Sequence, residues 1–484
     1  MASKKKVGII GAGPSGLGAA YELLTRNKNG LSVFIYDKND IVGGLARSYK
    51  FHGHYFDIGP HRFFTKNDQV LNLWKKILKK DFIKVNRLTR IYYKNKIFYY
   101  PIRIRDVLVK LGPKADLEIL ASFINSKLFL QNQNPKTFEQ AITKDFGRRL
   151  YRIFFKTYSE KVWGISCDQI SAKWASQRIK NLNFIGVLKT AVLGDRAKRA
   201  KSLVEKFHYT TRGTGFLYIK MAQFINNRQG KIYLNTAVTK IHHQKNTITS
   251  IQYSNGKTDT QEVDYLFSSM PLTDFIKSLD PKPDNKILQA ANKLIYRDHI
   301  TVNLVAKGNN LFPDNWVYIH SNDLQMARVT NYNNFYPPSV NKKMKTSAIA
   351  VEYFAFKKDR LWKMSDKELI DLAVAELVQA KFINSEKEII DGFVLKEADS
   401  YPAYYMGYEK SFDLLKNYVE RFGNLQLIGR GGMYKYDNMD HALFSGMLAA
   451  RNFLLGQKKY DIWAINEDAE YLEEQAVKFD GTDD

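Results

Sequence analysis

The chain opens on an apolar run, KVGII at 6–10, followed at once by GAGPSG and then by Ala19, Ala20, Leu23 and Leu24 at helical spacing. A second apolar run, SVFIY at 32–36, ends at Asp37. Short apolar runs bounded by glycine fit buried strands, and the recurrence between them fits a helix with one apolar face. Strand, glycine turn, helix, strand and acid in that order form half of a dinucleotide-binding sheet. From 86 to 205 the periodicity turns helical, with aromatic residues at helix spacing. One exception is IYYKNKIFYYP at 91–101, which reads as a hairpin through Lys94-Asn95-Lys96. Strands return at 231–256 as KIYLN, VTKIHH and ITSIQYSNG, where Asn255-Gly256 marks a turn. Further strands are expected in VDYLFSSMP (263–271), ITVNLVA (300–306), TSAIAVEYFA (346–355) and LQLIG (425–429). The last of these leads through GRGGMYKYDNMDH into a final helix.

This pattern predicts an α/β protein with a discontinuous Rossmann-type domain, a helical insertion and a mixed-sheet substrate domain. The dinucleotide domain is expected over 1–85, 206–270 and 395–456. A mainly helical substrate domain takes 86–205, a sheet-containing one takes 271–394, and 457–484 forms an acidic C-terminal segment. The length of 484 residues is consistent with two or three domains. A share of 44% hydrophobic and 25% charged residues is globular composition.

Cys167 is the single cysteine, which rules out a disulfide framework within the chain and a cysteine-based metal site, so no metal is expected. It reads as a small packing residue, and its solitude fits a reducing, cytoplasmic location. No apolar run approaches the roughly 20 residues that span a bilayer. The net charge of +25 favours anionic partners: a phosphorylated substrate, or peripheral contact with an anionic membrane. The basic residues are spread along the chain, with a denser stretch at Arg196, Lys198, Arg199 and Lys201. Nucleic acid is not expected, because no recognisable binding module is present.

In GAGPSG, Gly11 permits the tight turn, Gly13 lets backbone approach a pyrophosphate, and Gly16 lets the helix pack against the sheet. The helix N-terminus beyond Ser15 then offers free N–H groups to phosphate. Asp37, 21 positions after Gly16, suits a bare ribose 2′-hydroxyl and points to FAD or NAD over NADP. A second glycine pair, Gly43-Gly44, brings backbone to the pyrophosphate and ribityl chain again, which favours FAD.

Four blocks carry a wider likeness: GGLARS with FDIGPHRFF; YSEKVWG with SAKWASQRI; Tyr401-Pro402; and GRGGMYKYDNMDH. Over residues 6 to 456 the chain resembles the UDP-galactopyranose mutase family, within the FAD-dependent amine oxidase and protoporphyrinogen oxidase superfamily. The resemblance implies a net non-redox reaction in which reduced FAD is the nucleophile toward the anomeric carbon of a nucleoside-diphosphate sugar. The ring then opens and recloses at a different size. NAD(P)H or another donor would supply the reduced flavin.

The same resemblance implies site residues. His61 would lie against the flavin, and Arg178, Arg430, Tyr436 and Tyr401 would hold the diphosphate, giving the candidate catalytic set. Asn438 would sit near the same phosphates, and Trp163 would border the sugar. The cofactor would also touch Gly44, Leu45, Arg47, Gly59, Pro60, Val238, Met439 and Asp440. Two departures stand out. Tyr100-Pro101-Ile102-Arg103 replaces a run that stacks uracil, and Lys307 stands where the family has a second arginine, without its fork. An FAD oxidoreductase of the amine oxidase type is therefore the alternative reading, and a flavin-bearing binding subunit at an anionic membrane is a third.

Overall fold

The computed structural model describes residues 4–27, 30–172, 174, 206–336 and 344–465. Strand β1 (Lys5–Ile10), helix α1 (Pro14–Arg26) and strand β2 (Leu31–Tyr36) follow the predicted order. Val7, Ile9 and Ile35 have no solvent exposure, as expected of strands covered on both faces. β1 and β2 pair in parallel at the centre of a five-stranded sheet. The chain returns to it three times: Lys231–Tyr233 lies beside β2, Tyr265–Ser268 beside β1, and Leu425–Leu427 outermost, all parallel. Helix α1 lies against the last helix, Met439–Leu455, almost backbone on backbone. A Cβ on Gly446 would stand 1.9 Å from the Ser15 carbonyl oxygen. The two ends of the chain are thereby locked into one unit.

Strands Ala237–Gln244, Thr247–Ser254 and Thr258–Glu262 form an antiparallel meander with the short strand Leu279–Asp280 at its edge. A mixed seven-stranded sheet builds the other half of the molecule. Its order is Ile389–Pro402, Tyr296–Lys307, Thr346–Ala355, Arg328–Asn331, Trp316–Ile319, Thr89–Tyr93 and Lys96–Tyr99. Helix Asp366–Gln379, started by a Ser365/Glu368 capping box, buries Leu369, Ala373 and Leu377 in one core with Val302, Leu304 and Val351 of this sheet.

The Lys94–Asn95 turn has positive φ at both residues, as a two-residue hairpin requires. That hairpin belongs by hydrogen bonding to the long sheet, through the parallel pairing of Thr89–Tyr93 with Trp316–Ile319, and not to the helices that follow it. This departs from the expected start of a helical block at 86. The 14-residue strand Ile389–Pro402 likewise runs across the boundary expected at 395. Its sequence, IIDGFVLKEADSYP, is half-buried along most of its length, so charged residues break the alternation that would reveal it. The basic stretch at 196–201 and residues 466–484 of the expected acidic C-terminal segment lie outside the described residues.

Candidate active site

A cavity of about 530 Å³ lies at the carboxyl ends of β1 and β2, where parallel sheets bind nucleotides. Gly11, Gly13 and Ser15 line it from the glycine turn, and Gly44, Leu45 and Arg47 from the second glycine pair. Gly16 stays behind the turn: a Cβ there would stand 1.9 Å from the Gly11 carbonyl oxygen. Gly43, at φ 114°, shapes the second turn without facing the cavity. Asp37 lines the same cavity and already accepts from Ala12 N at 2.7 Å and from Asn39 N and Nδ2 at 2.8 Å. A carboxylate offers about four lone-pair sites, so Asp37 braces the glycine turn and still has capacity for a ribose diol. Val238 closes this end, just before a register shift in its strand.

At the other end stand His61, Arg430, Asn438 and Met439. His61 is carried on a loop that begins at Asp57, a fully buried carboxylate. Asp57 accepts from Ser48 Oγ (2.5 Å), Tyr209 Oη (2.7 Å), and Thr214 N (3.1 Å) and Oγ1 (2.7 Å). The loop then turns through Gly59 and Pro60, with His61 N donating to Gly59 O at 2.8 Å; neither Gly59 nor Pro60 lines the cavity. Burial, with the Arg430 and Arg328 cations nearby, pushes the His61 imidazole down to about 3, so it is neutral. Its Nδ1 is buried without a hydrogen-bond partner at the cavity edge. Asp440 sits one step into the last helix, off the cavity lining, and burial raises its carboxyl to about 7. Glycine cradle, braced acid, helix N-terminus and an unsatisfied ring nitrogen at the far end together fit a dinucleotide carrying a flavin.

A second cavity of about 220 Å³ adjoins the first. Of the predicted substrate residues, Tyr100, Trp163, Tyr401 and Tyr436 line it. The wall between the cavities is Arg430 with two tyrosine rings, Tyr401 at 4.8 Å and Tyr436 at 4.9 Å from its guanidinium carbon. Its Nε and Nη2 donate to Asp437 O at 2.9 and 2.6 Å, which fixes the fork on backbone. Arg430 therefore contributes charge and shape at the wall, with part of its fork already committed.

Three predicted substrate residues lie elsewhere than expected. Arg103 is exposed and rests over the Tyr99 ring at 4.4 Å, off the cavity, whereas Ile102 does line it. Lys307 is exposed at the far end of its strand, paired with Thr346, about 20 Å along from Thr301 at 3.3–3.4 Å per residue. Asn438 lines the cofactor cavity, not the second one. Arg178 lies outside the described residues.

Among the described residues, the cation that lines the second cavity is Arg328. Glu352 accepts from its Nε at 2.6 Å and Nη2 at 2.5 Å, and His299 Nε2 stands 2.9 Å from the same carboxylate. The Arg328 guanidinium and the His299 hydrogen bond hold the Glu352 carboxyl at about 2, against the upward push of burial. One signal for this residue was present in the sequence: an acid inside the apolar run TSAIAVEYFA demands a buried partner. Tyr158, Trp174, Tyr318 and His320 complete the walls, with Tyr158 stacked on His320 at 5.0 Å and 9°. Cys167 is buried, its thiol pushed up to about 12 by burial, as befits a packing residue.

Among the described residues no helix is long and apolar enough to cross a membrane. Over 175 residues, 35% of its length, the chain is 29% identical to a probable UDP-galactopyranose mutase of Klebsiella pneumoniae. Over 174 residues it is 29% identical to a dTDP-fucopyranose mutase of Escherichia coli. Each match spans only 44% of the mutase. A 1-hydroxycarotenoid 3,4-desaturase of a Flavobacterium species is 24% identical over 309 residues, 59% of this chain and 61% of that protein. In three dimensions the crystal structure of a reduced UDP-galactopyranose mutase has the same fold. The TM-score is 0.82 at 20% identity, over 97% of this chain and 98% of the other. Residues 14–454 match the family described as flavin containing amine oxidoreductase; the chain belongs to that family, as a flavoenzyme with FAD as its cofactor.

Proposed function

We propose that this flavoenzyme is a mutase of the UDP-galactopyranose mutase type, interconverting ring forms of a nucleoside-diphosphate sugar without net redox change. The observation that carries the reading is the pair of cavities sharing the Arg430–Tyr401–Tyr436 wall. When bound in its reduced form, FAD supplies the nucleophile for the anomeric carbon. The protein must then hold a diphosphate that leaves and returns. Arg328 is suited to this, because Glu352 occupies Nε and Nη2 and fixes the side chain, while Nη1 takes no part in that pairing. A cation already locked in place loses little entropy on binding. Tyr401 and Tyr436 offer O–H donors beside the Arg430 charge, and burial keeps the Tyr401 phenol protonated by raising its pKa. Trp163 and Trp174, edge to face at 4.5 Å, give the sugar an apolar wall that limits water. Two mutases among the relatives support the same chemistry.

The test is to incubate protein reduced by dithionite or NAD(P)H with UDP-galactopyranose and, separately, dTDP-fucopyranose. Ring isomers are then separated by chromatography. Isomerisation without net consumption of reductant is expected, and Tyr436→Phe should weaken nucleotide-sugar binding while FAD stays bound. The second reading is an FAD oxidoreductase, favoured by the family match and by the desaturase relative. Peroxide release or acceptor reduction by the oxidised protein, with no isomerisation by the reduced one, would select it.

A further inference from the structure

We infer that Lys161 is a positioning residue for the second cavity, acting as the clip that holds the 319–326 segment against the helix Thr157–Trp163. The inference rests on reading that cavity as the nucleotide-sugar site. Lys161 Nζ donates to three backbone carbonyls of this one segment: Ile319 O at 3.2 Å, Ser321 O at 2.7 Å and Met326 O at 3.1 Å. An ammonium has three donors, and all three are used. The opposite side of the segment is held by a buried carboxylate. Glu376 accepts from Gln325 N and Met326 N, the latter at 2.9 Å, and from Tyr353 Oη at 2.9 Å. One loop is thus pinned through its carbonyls by a cation and through its amides by an anion.

Both parties to the clip carry cavity residues. The helix contributes Tyr158, Val162 and Trp163, and the clipped segment and its flanking strands contribute Tyr318, His320 and Arg328. The Tyr158–His320 stack spans the same seam. Lys161 therefore sets the distance between two walls without lining the cavity itself. It makes no salt bridge to a surface carboxylate that would otherwise explain its placement among the described residues. The charged groups around it are Glu376 on the helix Asp366–Gln379, Asp323 on the segment, and Arg297, whose Nη2 donates to Lys161 O at 3.4 Å; His320, lowered to about 3 by burial, is a neutral neighbour. Burial outweighs Glu376 and Asp323 and lowers the ammonium to about 8. Above that pH the neutral amine keeps two N–H groups and drops one carbonyl.

The experiment uses full-length, FAD-loaded protein, with UDP and dTDP as probes. Lys161→Met should keep FAD at parental stoichiometry and weaken nucleotide binding about tenfold, with KM rising more than kcat falls, and Lys161→Arg should restore part of the loss. Affinity of the parent should fall between pH 7 and 8.8, and that of Lys161→Met should stay level. Amide hydrogen exchange over 319–326 should quicken in Lys161→Met. That readout needs no ligand: quicker exchange in a protein whose parent binds no nucleotide sinks the mutase reading and leaves the clip standing. Parental nucleotide affinity in Lys161→Met, unchanged exchange, or joint loss of FAD and nucleotide overturns the proposal. Should Lys161→Met fail to fold, a parent whose nucleotide affinity is constant from pH 7 to 8.8 overturns it equally.

Discussion

Arg328→Met separates what the buried ion pair does for stability from what it does for the ligand. The substitution leaves Glu352, with no solvent exposure, facing only His299. The Glu352 carboxyl lies at about 2 instead of its ordinary 4.5, and that displacement corresponds to about 3 kcal/mol at 1.36 kcal/mol per pH unit. Breaking a buried pair by removing one partner costs about 3–5 kcal/mol, which agrees. The sign follows from linkage. The parent's depressed carboxyl contributes stability above pH 4.5 and loses it as pH falls toward 2. In the variant the unpaired carboxyl moves upward, so protonating it relieves the strain as pH falls. Urea denaturation followed by tryptophan fluorescence should therefore show a loss of about 3 kcal/mol at pH 8 that narrows by pH 5.5. Arg328→Met/Glu352→Gln should recover much of that stability yet bind UDP as poorly as the single variant. A double variant that stays destabilised, or a single variant that binds UDP like the parent, would refute the reasoning.

Gly16→Ala forces a Cβ to 1.9 Å from the Gly11 carbonyl oxygen, so the purified protein should lose most of its flavin absorbance relative to the 280 nm band. Arg430→Gln removes the cation between Tyr401 and Tyr436; two such contacts at about 0.5–2 kcal/mol each predict a stability loss of about 1–4 kcal/mol in urea denaturation. Asp57→Ala strands the donors of Ser48, Tyr209 and Thr214 and should lower stability by about 3 kcal/mol or more in denaturation, with FAD loss as the His61 loop loosens. Because the His61 imidazole lies at about 3, the pH profile of nucleotide binding should carry no histidine step near 6.5 that His61→Asn abolishes.

The dinucleotide half was legible because its signals are local. The glycine turn, the alternating run lengths and Asp37 lie within one stretch, and each has a backbone reason to be where it is. The second cavity was less legible because its parts meet only across the long sheet. Glu352 and Arg328 face each other on neighbouring strands, a pairing that residue type alone does not reveal, so the resemblance pointed to Lys307 and Arg328 went unnoticed. Arg103 followed its neighbours in sequence, but the start of a helix at Ile104 turns it onto Tyr99. Tyr158 and Lys161 stood in a block whose likeness was clear, and only the packing of that helix against 319–326 separates one as cavity wall from the other as clip.

The strand Ile389–Pro402 touches both chambers: Glu397 to Ser400 face the larger one, and Tyr401 faces the smaller. Between Glu397 and Tyr401 the pairing shifts register and Asp399 takes φ 56°, so one short irregular segment links the two chambers and its conformation is shared by whatever each holds. Thermodynamic reciprocity then demands equal factors: by whatever factor a guest in the smaller chamber changes the affinity for FAD, FAD changes the affinity for that guest by the same factor.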